Sequence, residues 1–164
     1  MSTSAEQVVS QSGREAKILN EGYGSGAWHG PDLKAAIADV SADLAWWRPG
    51  PGRHTIAEVA LHHAYFVRSV RAQIAGTPPE PFVLDGEDWF ELGDGSRLGW
   101  PQVQATVDAQ QRALLALVND VETGRVRSSL AEPERFALVL GITCHAVYHA
   151  GQIQLIKRLK TSQR

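Results

Sequence analysis

The chain has 164 residues, 43% of them apolar and 21% charged, with a formal net charge of -2 and an isoelectric point near 6.3. That composition excludes wholesale disorder and a disulfide-stapled miniprotein, and 16 basic against 18 acidic residues supply no net positive field for a polyanion. The length suits one domain with a proper core. Cys144 is the sole cysteine, which fits a reducing compartment. No uninterrupted apolar run approaches the roughly 18 residues of a membrane span, and Met1–Glu6 lacks the basic and apolar parts of a signal peptide. The expectation is a cytoplasmic protein that binds neither nucleic acid nor membrane.

Residues 1–27 form an N-terminal segment. Ala5–Leu19 allows a short helix with sparse apolar positions, and Glu21-Gly22-Tyr23-Gly24-Ser25-Gly26 reads as a turn or loop because three glycines weaken a helix. Pro31 suits a first helical turn, with Asp32 adding charge of the right sign. Leu33, Ile37, Val40 and Leu44 follow as an amphipathic stripe, predicting a helix over 31–47 that Arg48-Pro49-Gly50-Pro51-Gly52 stops. Thr55-Ile56-Ala57-Glu58 is a capping box opening a second helix over 55–75, closed by Gly76-Thr77-Pro78-Pro79. Pro78–Gly99 has no sustained periodicity. It reads as a long connection tied down by Phe82, Trp89 and Phe90, and connections of that length are often functional. Val103, Val107, Leu114, Leu117 and Val121 mark a third helix over 101–122. Leu138, Ile142, His145, His149, Ile153 and Ile156 mark a fourth over 133–160. The fold expected is all-α: one domain built as an antiparallel four-helix bundle over 28–164, with the long connection between its second and third helices.

The six histidines are His29, His54, His62, His63, His145 and His149. His145 and His149 lie one helical turn apart, about 40° around the axis, at the centre of the predicted core stripe. Two neutral imidazoles so placed can share one cation; the plainer alternative is a pair of core histidines satisfied by hydrogen bonds. A third ligand should come from the second helix, through His62 or His63. On a helical wheel with Ile56 at zero, His63 falls centrally, at about 340°, and His62 at about 240°, so periodicity alone favours His63.

Trp28-His29-Gly30-Pro31, Arg48-Pro49, His54-Thr55-Ile56-Ala57-Glu58-Val59, Gly76 and His145-Ala146-Val147-Tyr148-His149-Ala150-Gly151-Gln152-Ile153 together resemble the DinB/YfiT-like superfamily of metalloenzymes. The resemblance spans roughly Trp28 to Arg158, and its closing His-x-x-x-His-x-Gly-Gln-Ile is its most specific part. It implies a four-helix bundle holding a divalent metal, zinc or nickel, through three histidines. One lies on the second helix and two on the last. The family histidine stands seven residues after the capping Ser/Thr and fourteen before the helix-ending glycine. Both counts reach His62, so the metal set is His62, His145 and His149, with His63 as the alternative to His62. His63 occupies a position usually aliphatic in the family, which is this sequence's main departure.

Catalytic candidates are His29, Tyr148 and Gln152. His29 would line the pocket mouth or merely neighbour a helix cap. Tyr148 would contact substrate or simply pack. Gln152 would orient a histidine or a bound water, or make an interhelical hydrogen bond. Glu58 is accounted for by its capping role, and Cys144 reads as a small buried residue. No phosphate loop, dinucleotide fingerprint or nucleophile elbow occurs, and no Glu-x-x-His pair suggests a two-metal site. The resemblance implies a mononuclear metal-dependent hydrolase, or a transferase using a low-molecular-weight thiol, acting on a small molecule; a homodimer fits related folds. The alternatives are a non-catalytic metal-holding or stress-related bundle working through a partner, and a purely structural bundle.

Overall fold

The computed structural model describes residues 13–24 and 26–162. Among them every regular element is helical. The order is α1 (Arg14–Gly22), α2 (Leu33–Ala38), α3 (Ala42–Trp46), α4 (Ile56–Ala75), α5 (Trp100–Glu122) and α6 (Glu132–Thr161). The three long helices lie within a residue of the spans expected for them. Thr55 caps α4 through the Glu58 N–H while the Glu58 carboxylate accepts from the Thr55 N–H, and Gly76 ends the helix at φ 71°.

The helix expected over 31–47 is instead two short ones. Asp32 and Ser41 each cap a new start, accepting from the N–H groups of Ala35 and Leu44. The carbonyls released at the break find partners on the long helices. Trp100 Nε1 donates to Val40 O at 2.8 Å, and Gln104 Nε2 to Ile37 O at 3.1 Å. Lys157 donates to Ala36 O and pairs with Asp39. The apolar stripe is real, since Leu33, Ile37 and Val40 are buried, but side chains from α5 and α6 replace the helical hydrogen bonds that continuity would have made.

The second departure is at the N-terminus. Residues 5–12 of the allowed short helix lie outside the described residues, while α1 runs through Glu21 and Gly22, which the glycine count assigns to a loop. Gly22 is there because of close approach: a Cβ on it would stand 2.9 Å from Ala146 Cβ on α6. Gly13 brings no capping side chain of its own. The Glu122 carboxylate at the end of α5 accepts from the N–H groups of Glu15 and Ala16 instead. Glu15, 1% exposed, is held bidentate by Arg135 of α6 at 2.7 and 3.0 Å. Contacts of these kinds join segments more than 100 residues apart and leave no local signature.

α4 packs on α5 and α6, and α1 on α6 and α5. One apolar cluster gathers Leu61, Ala64, Val103, Val107 and Ile153 with residues from α2 and α3; a second joins Leu19 to Val67, Ile74, Leu114 and Val139. By length and average composition α6 is apolar enough to cross a membrane, although polar residues interrupt it and no apolar run in it reaches that length. Val139, Ile142, Ala146, Ala150, Ile153 and Ile156 are buried where α6 meets α1, α2 and α4, while Leu140, Leu155 and Leu159 are exposed. The buried face of α6 is accordingly broader than the expected stripe, taking in Val139, Thr143, Ala146 and Ala150 as well as Ile142, His149 and Ile153.

Two arginines separate buried from surface pairing. Arg135→Ala strands the Glu15 carboxylate and should cost about 3–5 kcal/mol. Arg14→Ala removes an exposed pair to Glu132 and should cost under about 1 kcal/mol. Urea denaturation of both variants checks the contrast; equal losses would contradict this role for the Glu15 pair.

Candidate metal centre

Three of the six imidazoles converge. α4 contributes His62, and adjacent turns of α6 contribute His145 and His149. His145 Nε2 stands 3.2 Å from His62 Nε2 and 3.1 Å from His149 Nε2, and one ligating nitrogen from each ring lies within 4.8 Å of the others. Two nitrogens each bound to a tetrahedral zinc at about 2.0–2.1 Å stand about 3.3–3.4 Å apart, so these spacings fit a shared cation with small adjustments. His62 and His149 are buried; His145 is half-buried.

The outer nitrogens decide what the inner ones can do. His62 Nδ1 is 3.1 Å from the Asp88 carbonyl and 3.0 Å from the Asp88 carboxylate. Both are acceptors, so Nδ1 carries the proton and Nε2 keeps its lone pair. His149 Nδ1 is 2.6 Å from Gln152 Oε1, whose amide nitrogen donates to the Tyr148 hydroxyl at 3.2 Å. The same assignment follows: Nδ1–H outward, lone pair inward. Ligating histidines typically hold their second nitrogen in this way, on a carbonyl, carboxylate or amide.

The connection over 78–99 packs on the helices through Phe90, Leu92 and Leu98, all buried, with Phe82 and Trp89 partly so. It delivers two residues to the cluster. Asp88 adopts a left-handed conformation, φ 61°, uncommon for a residue other than glycine, and in it presents both carbonyl and carboxylate to His62. Trp89 stacks on His62 at 3.8 Å and 5°, and on its other face stacks His54 at 3.6 Å and 8°. Glu58, below this stack, is buried and paired bidentate with Arg48 at 2.6 and 3.1 Å. Its carboxyl works against burial but is lowered by Arg48 and the Thr55 N–H. The Arg48-Pro49 piece thus anchors the entry to α4.

His63 is wholly buried and lies on the far side of His145, their Nδ1 atoms 2.9 Å apart. Of the catalytic candidates, Gln152 touches His149 directly and Tyr148 does so edge-on, with 64% of Tyr148 exposed. His29 is exposed in the connection between α1 and α2, where Nε2–H donates to Glu21 O at 2.7 Å. Cys144 is exposed, against the expectation of burial: one residue from His145, it falls on the outer side of α6. Asp88 and the paired stacking on Trp89 are absent from the sequence reading. Asp88 reaches His62 across 26 residues of aperiodic chain, and the only cue was the unusual length of that connection.

Convergent nitrogen lone pairs at one point of a helical scaffold define a candidate mononuclear cation site. The DinB superfamily profile matches residues 27–153, and the chain belongs to that superfamily. Neither a curated protein nor a solved structure gives a match.

Burial keeps the cluster neutral. It lowers His145 to about 3 and His149 to about 4, with neighbouring imidazoles adding to the effect and Gln152 opposing it at His149. It also lowers His62, against the pull of Asp88. The unfolded chain takes up protons near its ordinary value of about 6.5, and the folded chain does so only further down. Metal-free stability should therefore be full above about pH 6.5 and fall progressively from there down to about pH 3. Thermal melts in chelator at pH 7.5 and 5.0 measure this. The pH dependence should shrink in the double variant His145→Ala/His149→Ala, and equal melting temperatures for the native chain at the two pH values would contradict it.

Proposed function

We propose that this protein is a mononuclear divalent-metal enzyme that holds zinc or nickel through His62, His145 and His149 and acts on a small molecule. The convergence of three Nε2 atoms, two with their Nδ1 atoms already committed to acceptors, carries this reading. Three neutral ligands leave the ion its full charge and open positions, so it supplies Lewis acidity able to lower the pKa of a water or a thiol. Among the reactions such acidity serves, the family resemblance favours hydrolysis or a transfer that uses a low-molecular-weight thiol.

The chain's own residues set the conditions. Asp88 and Gln152 fix the rings of His62 and His149. Trp89 covers one face of His62 and keeps water from it. Tyr148, exposed and accepting from Gln152, would meet a substrate group and couple it to His149. His29 is a weaker candidate, since its ring is committed to Glu21. The packing of α4 on α5 and α6 supports a helical bundle as the scaffold; the fourth partner of α5 and α6 is α1, at 14–22, rather than the continuous helix expected over 31–47, so the bundle proposed here extends N-terminal of residue 28. The near-neutral charge and the single thiol support a cytoplasmic protein without a nucleic-acid or membrane partner, working alone or as a homodimer.

Untagged protein should bind one zinc per chain. Alanine at any of the three histidines should abolish stoichiometric binding, and His63→Ala should retain one zinc per chain. Zinc at a hundred times its Kd should stabilise the native chain by about 2.7 kcal/mol. Loss of metal in His63→Ala with retention in His62→Ala would exchange the ligand; retention in all four variants would refute the site. Solvent proton relaxation of the nickel-loaded protein separates the enzyme from a closed metal-holding bundle: an exchanging water supports the enzyme, and its absence supports the bundle.

A further inference from the structure

Two of the three converging histidines have an obvious acceptor behind them, Asp88 for His62 and Gln152 for His149. His145 has no carbonyl, carboxylate or amide among its hydrogen-bond partners. Behind its Nδ1 stands another imidazole, the wholly buried His63, with Nδ1 to Nδ1 at 2.9 Å. We infer that His63 is the positioning residue for His145: it accepts the Nδ1–H of His145 and so holds the Nε2 lone pair of that ring toward the cluster. The inference rests on the metal reading above.

Proton counting gives the direction of the bond. Only one of the two facing Nδ1 atoms can carry a proton. If His63 held it, His145 in its neutral form would carry its own proton on Nε2, pointing at His62 and His149 and blocking ligation. With the proton on His145 Nδ1, His63 must be protonated at Nε2. That atom is buried without a hydrogen-bond partner, and so is Gln111 Oε1 of α5, whose side chain lies beside His63. A buried N–H donor on His63 and a buried carbonyl acceptor on the neighbouring Gln111 are thus both without a partner, and pairing them would complete a chain from Gln111 through His63 to His145. The same geometry keeps His63 outside the ligand set proposed above: its Nδ1 faces the back of His145, and its Nε2 is buried without a partner.

The test pairs two variants with one observation on the native chain. His63→Leu fills the space but removes the acceptor. His63→Asn keeps an acceptor where Nδ1 stands. Zinc affinity is measured by chelator competition, and folding of the metal-free variants by circular dichroism. His63→Leu should weaken zinc 10–100-fold at unchanged one-to-one stoichiometry, and His63→Asn should recover most of that loss. In the zinc-loaded native protein, long-range proton–nitrogen NMR should find His145 protonated at Nδ1 and His63 at Nε2, a result that holds whether or not a variant folds. Undiminished affinity in a folded His63→Leu, or a proton on His63 Nδ1, overturns the inference while leaving the metal site standing. Native protein that takes no zinc removes both.

Discussion

A neutral imidazole has one donor and one acceptor, and burying it without partners for both is costly. Four buried or half-buried imidazoles in contact magnify that constraint, and much of the local structure answers it. Asp88, Gln152 and His63 stand behind the rings of His62, His149 and His145, and the Nε2 of His145 meets those of His62 and His149 at 3.2 and 3.1 Å. With all three Nδ1 protons turned outward these lone pairs repel one another, and the divalent ion proposed above would lie between them; without it, a neutral His145 protonated at Nε2 can donate to His62 or His149 instead.

The scaffold follows from where those partners must be. His145, His149 and Gln152 come from one face of α6 and need only helical periodicity. His62 and His63 come from successive residues of α4, about 100° apart, so one reaches the cluster and the other reaches behind it. Asp88 and Trp89 come from the aperiodic connection, which is fixed by burying Phe90, Leu92 and Leu98. The left-handed backbone at Asp88 shows a segment held by its surroundings rather than by local preference.

Much of this was legible in the sequence, and the rest was not for identifiable reasons. The capping box at Thr55 and Glu58, the glycine at 76 and the prolines at 101 and 133 set the ends of the long helices by local chemistry. The break at Asp39–Ser41 escaped the hydrophobic pattern because the stripe continues through it; only Trp100, Gln104 and Lys157, distant in the chain, make the break affordable. The last turn of α1, through Glu21 and Gly22, escaped because Gly22 is poor for a helix in isolation but suited to close contact with α6. Histidine spacing brought His145 and His149 together but could not choose between His62 and His63, since a wheel drawn for one core direction does not describe a helix with neighbours on two sides. The family register led to the ring that joins the cluster, while the wheel led to the ring that is most buried.

The central claim is that three imidazoles of this chain hold one divalent ion. X-ray absorption at the zinc edge, on untagged protein loaded with one equivalent, tests it most directly. The account predicts a nitrogen shell at about 2.0–2.1 Å with the outer-shell scattering of three imidazoles, and at least one further light ligand. A sulfur neighbour, a shell with fewer than two imidazoles, or zinc that washes out of the folded protein would contradict it.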